Sequence, residues 1–323
     1  MTKLAPVADP VRSSRPVGVG PARRRRWGRD AALPYLLIAP AALVLLVILG
    51  YPIVRLAVLS FQKFDSRSLF TGESPFVLFD NYVDVLGDPE FWAVLWRTFA
   101  VTLLCVGLLM TVGFLLAQLL LRVSAWARLT LTICLVLVWA MPMVAAALIW
   151  QWLFQPQYGV ANWLLTQLGV FGDLRAHDWF SNPVEALALI TLLIVWKGLP
   201  FVVLTMYAAL GQIPASMYEA AGLDGANALD TVRHITIPMM RPVLAILIVL
   251  EVIWSVNSFT PFWVLTQGGP SGQTTTLAVY SYTTAFSAND YGGGAAISMI
   301  TVGLLAAFAV FYVRRQVKQV DVR

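Results

Sequence analysis

Charge is what this 323-residue chain has least of: Asp, Glu, Lys and Arg make up 12% of it, against 59% hydrophobic residues and a mean hydropathy of +0.75. A soluble globule of this length cannot bury so much apolar surface, so lipid must act as its solvent. Histidine occurs only at His177 and His234. Both fall outside the apolar runs and read as solvated side chains, which leaves a histidine-based intramembrane catalytic site without its parts. Cysteine occurs only at Cys105 and Cys134, each inside an apolar run. That placement speaks against a disulfide or a metal site and for small core residues. There is no GxxxxGK[ST] phosphate loop, so the chain is not an ATP-hydrolysing component. No base-reading motif accompanies the net charge of +5, and nucleic acid is not expected as a partner.

What is present is a series of long apolar runs. A membrane-crossing helix needs about 20 predominantly apolar residues, and six stretches meet that length: 33–60, 97–121, 129–154, 184–210, 242–265 and 293–313. The reading is therefore an all-α membrane protein with both termini on one side. Residues 1–32 form a basic leader, 33–315 the transmembrane domain and 316–323 a tail. The first run is too long for a cleavable signal peptide and has no small-residue cleavage site, so it is expected to remain in the mature protein.

Sidedness follows from the basic residues. The leader, the turn at Arg122–Arg128, the polar segment 211–241 and the C-terminal residues Arg314, Arg315, Lys318 and Arg323 hold sixteen Lys and Arg. The opposite side holds four, Lys63, Arg67, Arg97 and Arg175, and segment 266–291 holds none. The asymmetry predicts that both termini and segment 211–241 are cytoplasmic. The Pro-, Ser- and Arg-rich leader reads as a disordered arm that meets the lipid surface.

Segment 211–241 interrupts the apolar pattern with Glu219, Asp224, Asp230, Arg233, His234 and Arg241, side chains that belong in water beside the bilayer. Two short helices are expected. Pro214 suits a first turn, Ala215 to Leu223 favour helix, and Asp224-Gly225 supplies a turn whose carboxylate caps the next helix. Pro238 and Pro242 are expected to stop that helix and restart the chain into the membrane. The small residues Ala220, Ala221, Gly222, Gly225 and Ala226 present a low surface to which another protein can pack. An amphipathic juxtamembrane helix with no partner satisfies the same residues.

Glu219-Ala220-Ala221, three residues, Gly225, nine residues, Ile235, one residue, Ile237-Pro238 resembles the signature of binding-protein-dependent ABC importer permeases. Every spacing is kept. Ile237 stands for the usual Leu, and Val232 where carbohydrate members commonly have Phe. Other segments resemble the first permease subunit of maltose-type and glycerol-phosphate-type importers. They are Pro34 to Pro40 with Tyr51-Pro52, Asp80-Asn81-Tyr82 with Asp88 to Trp92, and Gly268-Gly269-Pro270 with Thr274 to Leu277. The likeness spans about residues 30 to 315.

The resemblance implies a type I ABC importer permease fold of six transmembrane helices with a cytoplasmic coupling-helix cassette at 211–241. It implies a second homologous permease, two ATPase subunits that hold ATP and Mg, and an extracytoplasmic substrate-binding protein. It also implies a cell inner-membrane location and a sugar or related carbohydrate as cargo, with no cofactor in this chain. In the cassette, Glu219 would bond to a basic ATPase residue and Gly225 would permit the turn. Ala220, Ala221 and Asp224 would belong to the docking surface, and Ile235 with Pro238 would brace the joint to the fifth span.

A path through the membrane is sought among polar residues at bilayer depth. Lys197 lies in the fourth span and Glu251 in the fifth, where a lone charge is costly, and pairing between them is one way to relieve it. Trp196, Trp254, Asn257, Ser258 and Thr260 add aromatic faces and hydrogen-bonding groups suited to a sugar ring. The same residues also serve as polar glue between helices. Pro142 and Pro200 read as kinks. An ion-gradient-driven secondary transporter using Lys197 and Glu251 as a proton relay is the alternative. It lacks a visible inverted repeat and leaves the cassette unexplained.

Overall fold

The computed structural model describes residues 33–169 and 172–320; the basic leader at 1–32 and the last three residues of the tail lie outside them. The chain divides into two compact units, Met1–Ile53 and Val54–Arg323. The described residues contain helices and no named strands.

In chain order the helices are α1 (Tyr35–Ser60), α2 (Ser66–Thr71), α3 (Asp80–Gly87), α4 (Pro89–Arg122), α5 (Ala125–Ala140), α6 (Met143–Leu153), α7 (Val160–Leu168), α8 (Pro183–Leu210), α9 (Ala215–Leu223), α10 (Ala228–Thr231), α11 (Ile237–Val256), α12 (Thr260–Leu265), α13 (Leu277–Tyr282) and α14 (Tyr291–Val320). Five helical segments are long and apolar enough to cross a membrane: α1, α4, α8, the run Ala228–Leu265 and α14. The third expected span, 129–154, is not straight. α5 and α6 meet at a bend of 100°. The cause is local: Pro142 has no N–H to donate, and Met141 before it takes an extended conformation (φ −67°, ψ 130°). Pro200, by contrast, sits inside the unbroken helix α8.

Other boundaries also shift. The second apolar helix starts at Pro89, eight residues before the hydrophobic run, because Asp88 accepts from Glu90 N–H and Pro89 occupies the first turn. Helix α14 continues through the arginines of the tail to Val320. The turn at Arg122–Arg128 is confirmed as tight. Arg128 folds back, donating from Nε to Leu120 O at 2.8 Å and from Nη2 to Val123 O at 3.2 Å, so a cation satisfies the C-terminal carbonyls of α4.

The interior of the second unit is built from α4 and α8, which pack along most of their length, with α11, α12 and α6 closing around them. Leu109, Ile190, Leu193, Val202, Met206, Leu247 and Phe262 are fully buried there. In lipid, helix association rests on close packing rather than on escape from water. Gly113 shows how close: a Cβ at that position would lie 2.6 Å from Val202 Cγ1. At the end bearing Pro89, a second cluster of Val85, Phe91, Val94, Leu277, Ala296 and Ile297 joins α3, α4, α13 and α14. Of the cysteines, Cys105 is a core residue as expected, whereas Cys134 is exposed on α5; both are free. The exposure of Cys134 is a distinction that an evenly apolar run cannot reveal.

Candidate functional site: the polar cassette and the membrane polar residues

The cassette opens as two helices, α9 and the helix beginning at Ala228, with changes from expectation at the cap and at the prolines. Helix α9 ends in a Schellman turn: Ala226 N–H reaches Ala221 O at 2.9 Å and Gly225 N–H reaches Gly222 O at 3.2 Å. Gly225 takes φ +77° to close it, a conformation that disfavours any residue with a Cβ. The cap of the next helix is Asn227, whose side-chain oxygen accepts from Asp230 N–H at 2.9 Å, and not Asp224. The reason lies in the backbone. Asp224 is still helical (φ −75°, ψ 0°) and closes α9, while Asn227 is extended (φ −77°, ψ 172°), as an N-cap must be.

The prolines do not stop the chain either. The helix that opens at Ala228 runs on past both prolines to Val256. A wide π turn at Val232–Thr236, in which Ile237 N–H reaches back to Val232 O, immediately precedes Pro238 and accommodates its missing donor. Tyr218 and Thr236 hydroxyls, 3.3 Å apart, join α9 to this turn.

Between α9 and the π turn lies an open cleft of about 500 Å³, lined among others by Ala220, Ala221, Asp224, Asp230, His234 and Ile235. Its floor is small and apolar: Ala221 is buried and Ile235 half-buried. Asp224 is exposed, and Pro238 is half-buried at the joint. Glu219 is exposed and makes no ion pair among the described residues. His234 is exposed, as expected, its Nδ1 lying 3.0 Å from Asp230 O. Two residues went unread in the sequence. Leu223 and Leu229 flank the Gly225 turn with 90% and 74% of their surface exposed, and two neighbouring leucines at the tip of a polar segment suit burial against another protein. Their signal was present, an apolar residue on each side of Asp224-Gly225.

The structure separates the membrane residues. Lys197 does not pair with Glu251. Its Nζ donates to Trp139 O at 2.6 Å, a carbonyl left without an intrahelical partner because α5 breaks two residues later. Lys197 therefore caps the C-terminus of α5. Glu251 is buried, and its Oε1 has no hydrogen-bond partner among the described residues; Ser255, one turn on, is buried with a hydroxyl likewise unpartnered among them. The other Glu251 oxygen faces Gly198, where a Cβ would lie 3.7 Å away. Trp254 lies on another face, half-exposed and edge-on to Phe201 at 5.2 Å. Asn257 is exposed, its amide folded back onto Ile253 O at 2.8 Å, and Ser258 and Thr260 are half-buried at the break before α12. Trp196 meets Trp150 at 6.0 Å. Glu251 and Ser255 thus form one polar pair inside the helix packing, apart from Trp254 and Asn257.

Outside the membrane, His177 is not a free solvated side chain. It is half-buried and pairs with Glu185 at 2.7 Å, while Trp179 donates to Asn162 at 2.6 Å and Asn162 donates to His177 O. The segment carrying Gly268-Gly269-Pro270 is also firmly built. Thr274 is buried and bonds to Gly269 O and to the Thr266 hydroxyl. Arg97 donates to Gly272 O and Thr275 O at 3.1 and 2.7 Å, and Leu277 N–H donates to the Thr98 hydroxyl. Arg97, counted in the sequence only as a sidedness marker, holds this segment against α4.

Residues 109–321 match the family described as binding-protein-dependent transport system inner membrane component. Among curated proteins, the chain is 39% identical to the diacetylchitobiose uptake system permease protein DasB of Streptomyces coelicolor, over 96% of this chain and 94% of that one. It is 37% identical to the sulfoquinovosyl glycerol transport system permease protein SmoG of Agrobacterium fabrum, over 90% and 93%. With the trehalose/maltose transport system permease protein MalF of Thermococcus litoralis the identity is 34%, over 88% and 94%. The fold is similar to that in the crystal structure of a bacterial ABC transporter involved in the import of alginate, with a TM-score of 0.75 over 90% of this chain and 96% of that one, at 20% identity.

Proposed function

From the premise that this chain belongs to the binding-protein-dependent transport system inner membrane components, and is thus a multi-pass inner-membrane permease, we propose that it forms half of the translocation path of an importer for a sugar or related carbohydrate. ATP hydrolysis lies in partner subunits, and ATP and Mg²⁺ are held there. A second, homologous permease completes the path, and an extracytoplasmic binding protein delivers the cargo.

One observation carries the coupling role. The cassette offers a cleft with a small apolar floor, a Glu219 without an ion pair among the described residues, and exposed Leu223 and Leu229 on either side of the Schellman turn at Gly225. That is a preformed socket for another protein, with an acid placed for a basic residue of the ATPase. Both termini and the cassette lie in the cytoplasm in this reading, which the sixteen-to-four basic asymmetry supports. The carbohydrate cargo is supported by the sugar and glycoside names of the relatives, all matched over nearly their full length.

The test is uptake of radiolabelled oligosaccharides into proteoliposomes holding the copurified complex, with the binding protein outside and ATP inside. ATP-dependent uptake that ceases without the binding protein is expected. Uptake driven by a proton or sodium gradient alone would overturn the proposal.

A further inference from the structure

Helix α3 divides into three sectors. At ~100° per residue, Phe79, Val83 and Leu86 form one stripe, Asp80 and Asp84 a second, and Asn81, Tyr82 and Val85 a third. The third faces the protein. Asn81 donates to Ser60 O and Gln62 O, both at 2.9 Å, the Tyr82 and Ser60 hydroxyls are 2.7 Å apart, and Val85 is buried. The acidic stripe is exposed. The apolar stripe is exposed too, Val83 by 66%.

A water-bathed surface helix needs only two sectors, polar outside and apolar inside. The third has a natural occupant because of where the helix sits. Segment 61–88 joins the end of one membrane helix, Ser60, to the start of the next, Pro89, so it is tethered at both ends to one face of the bilayer. The Trp92 indole N–H donates to Leu86 O at 2.8 Å and fastens the end of α3 to the first turn of α4. Further along α4, Trp92, Trp96 and Phe99 are exposed apolar side chains too. Indole rings of this kind settle at the headgroup level of a bilayer.

We propose that α3 is an interfacial helix, lying in the headgroup layer with Phe79, Val83 and Leu86 in contact with lipid acyl chains and Asp80 and Asp84 in water. It acts as a float that fixes the depth and tilt of α4, the helix most extensively packed against α8. This inference depends neither on the cargo nor on which face of the membrane is outside.

The test uses single cysteines at Val83, Leu86 and Asp84 in a Cys134→Ala background, labelled with bimane in the full-length protein with its copurifying subunits, in nanodiscs. Lipid-borne nitroxide and aqueous iodide serve as quenchers. Val83→Cys and Leu86→Cys should show blue-shifted emission and several-fold stronger quenching by the lipid nitroxide than by iodide. Asp84→Cys should show the opposite preference. Iodide quenching of all three sites alike would place the stripe in water and overturn the proposal. Shielding of Val83→Cys and Leu86→Cys from both quenchers would mean that a protein subunit covers the stripe, and would overturn it equally.

Discussion

Lys197 Nζ and the carbonyl oxygen of Trp139 are 2.6 Å apart, so a lysine on one membrane helix caps the broken end of another. The 100° bend at Met141-Pro142 frees that carbonyl, and Lys197 satisfies it. A cation at a helix C-terminus also meets the negative end of the helix dipole. Two features of the sequence that look independent, a proline in the third span and a lysine in the fourth, are halves of one arrangement.

Lys197→Met should therefore lower the stability of the purified subunit by about 1.5–3 kcal/mol, the usual worth of a hydrogen bond to a charged group. Lys197→Arg should retain most of it. Because Lys197 and Glu251 do not touch, the Lys197→Met, Glu251→Gln double variant should show the sum of the single effects. Thermal unfolding in detergent reads the single and double variants, and a double variant more stable than the sum of the single effects would restore the idea of a direct pair.

Glu251 behaves oppositely in this scheme. A buried carboxyl whose Oε1 has no partner adds nothing to stability, and its removal relieves a desolvation cost. Glu251→Gln and Glu251→Leu should assemble with wild-type yield or better. Cargo uptake should fall several-fold in both if the Glu251 and Ser255 pair opens onto the path during transport. A collapse in assembly yield would show instead that the carboxylate holds helices together.

Gly225 is the residue on which the cassette turn depends. No atom lies within 4 Å of a Cβ built there, so the cost of substitution is conformational and not steric. An L-residue at φ +77° costs about 1–2 kcal/mol. Gly225→Leu should misplace Leu223 and Leu229, abolish ATP-driven uptake and weaken ATPase copurification, while membrane insertion stays normal. Gly225→Asn, which tolerates this conformation, should keep a good part of both activities. Equal activity of the Leu variant and the wild type would refute the turn's role.

Two glycines of α4 make a matched pair. Gly113→Ala puts a methyl 2.6 Å from Val202 Cγ1, a buried branched side chain, and should cost about 1–3 kcal/mol through overpacking. Gly107 has nothing within 4 Å of its Cβ position, so Gly107→Ala should be neutral or raise the melting temperature by improving helix propensity. The order of the two melting temperatures checks the α4 and α8 packing directly.

Much of this protein was legible in the chain itself. Apolar runs of span length, the skew of basic residues and the spacing from Glu219 to Pro238 depend on composition and local order, which sequence states outright. The relation of α9 to its turn was legible for the same reason, since glycine at Gly225 reports its own backbone. What required the tertiary structure were choices between chemically equivalent candidates. Asp224 and Asn227 are both able to cap a helix, and only the extended backbone at Asn227 decides between them. His177 had an acid at Glu185 eight residues on, but only the folding of the intervening loop brings them together. Lys197 had a carboxylate within reach of imagination at Glu251 and took a main-chain carbonyl at Trp139 instead. That carbonyl exists as an acceptor only because Pro142 breaks its helix, and side-chain patterns say nothing of backbone groups left unpaired. Membrane helices widen this gap, because every face is apolar and the sequence does not mark which one meets protein and which meets lipid.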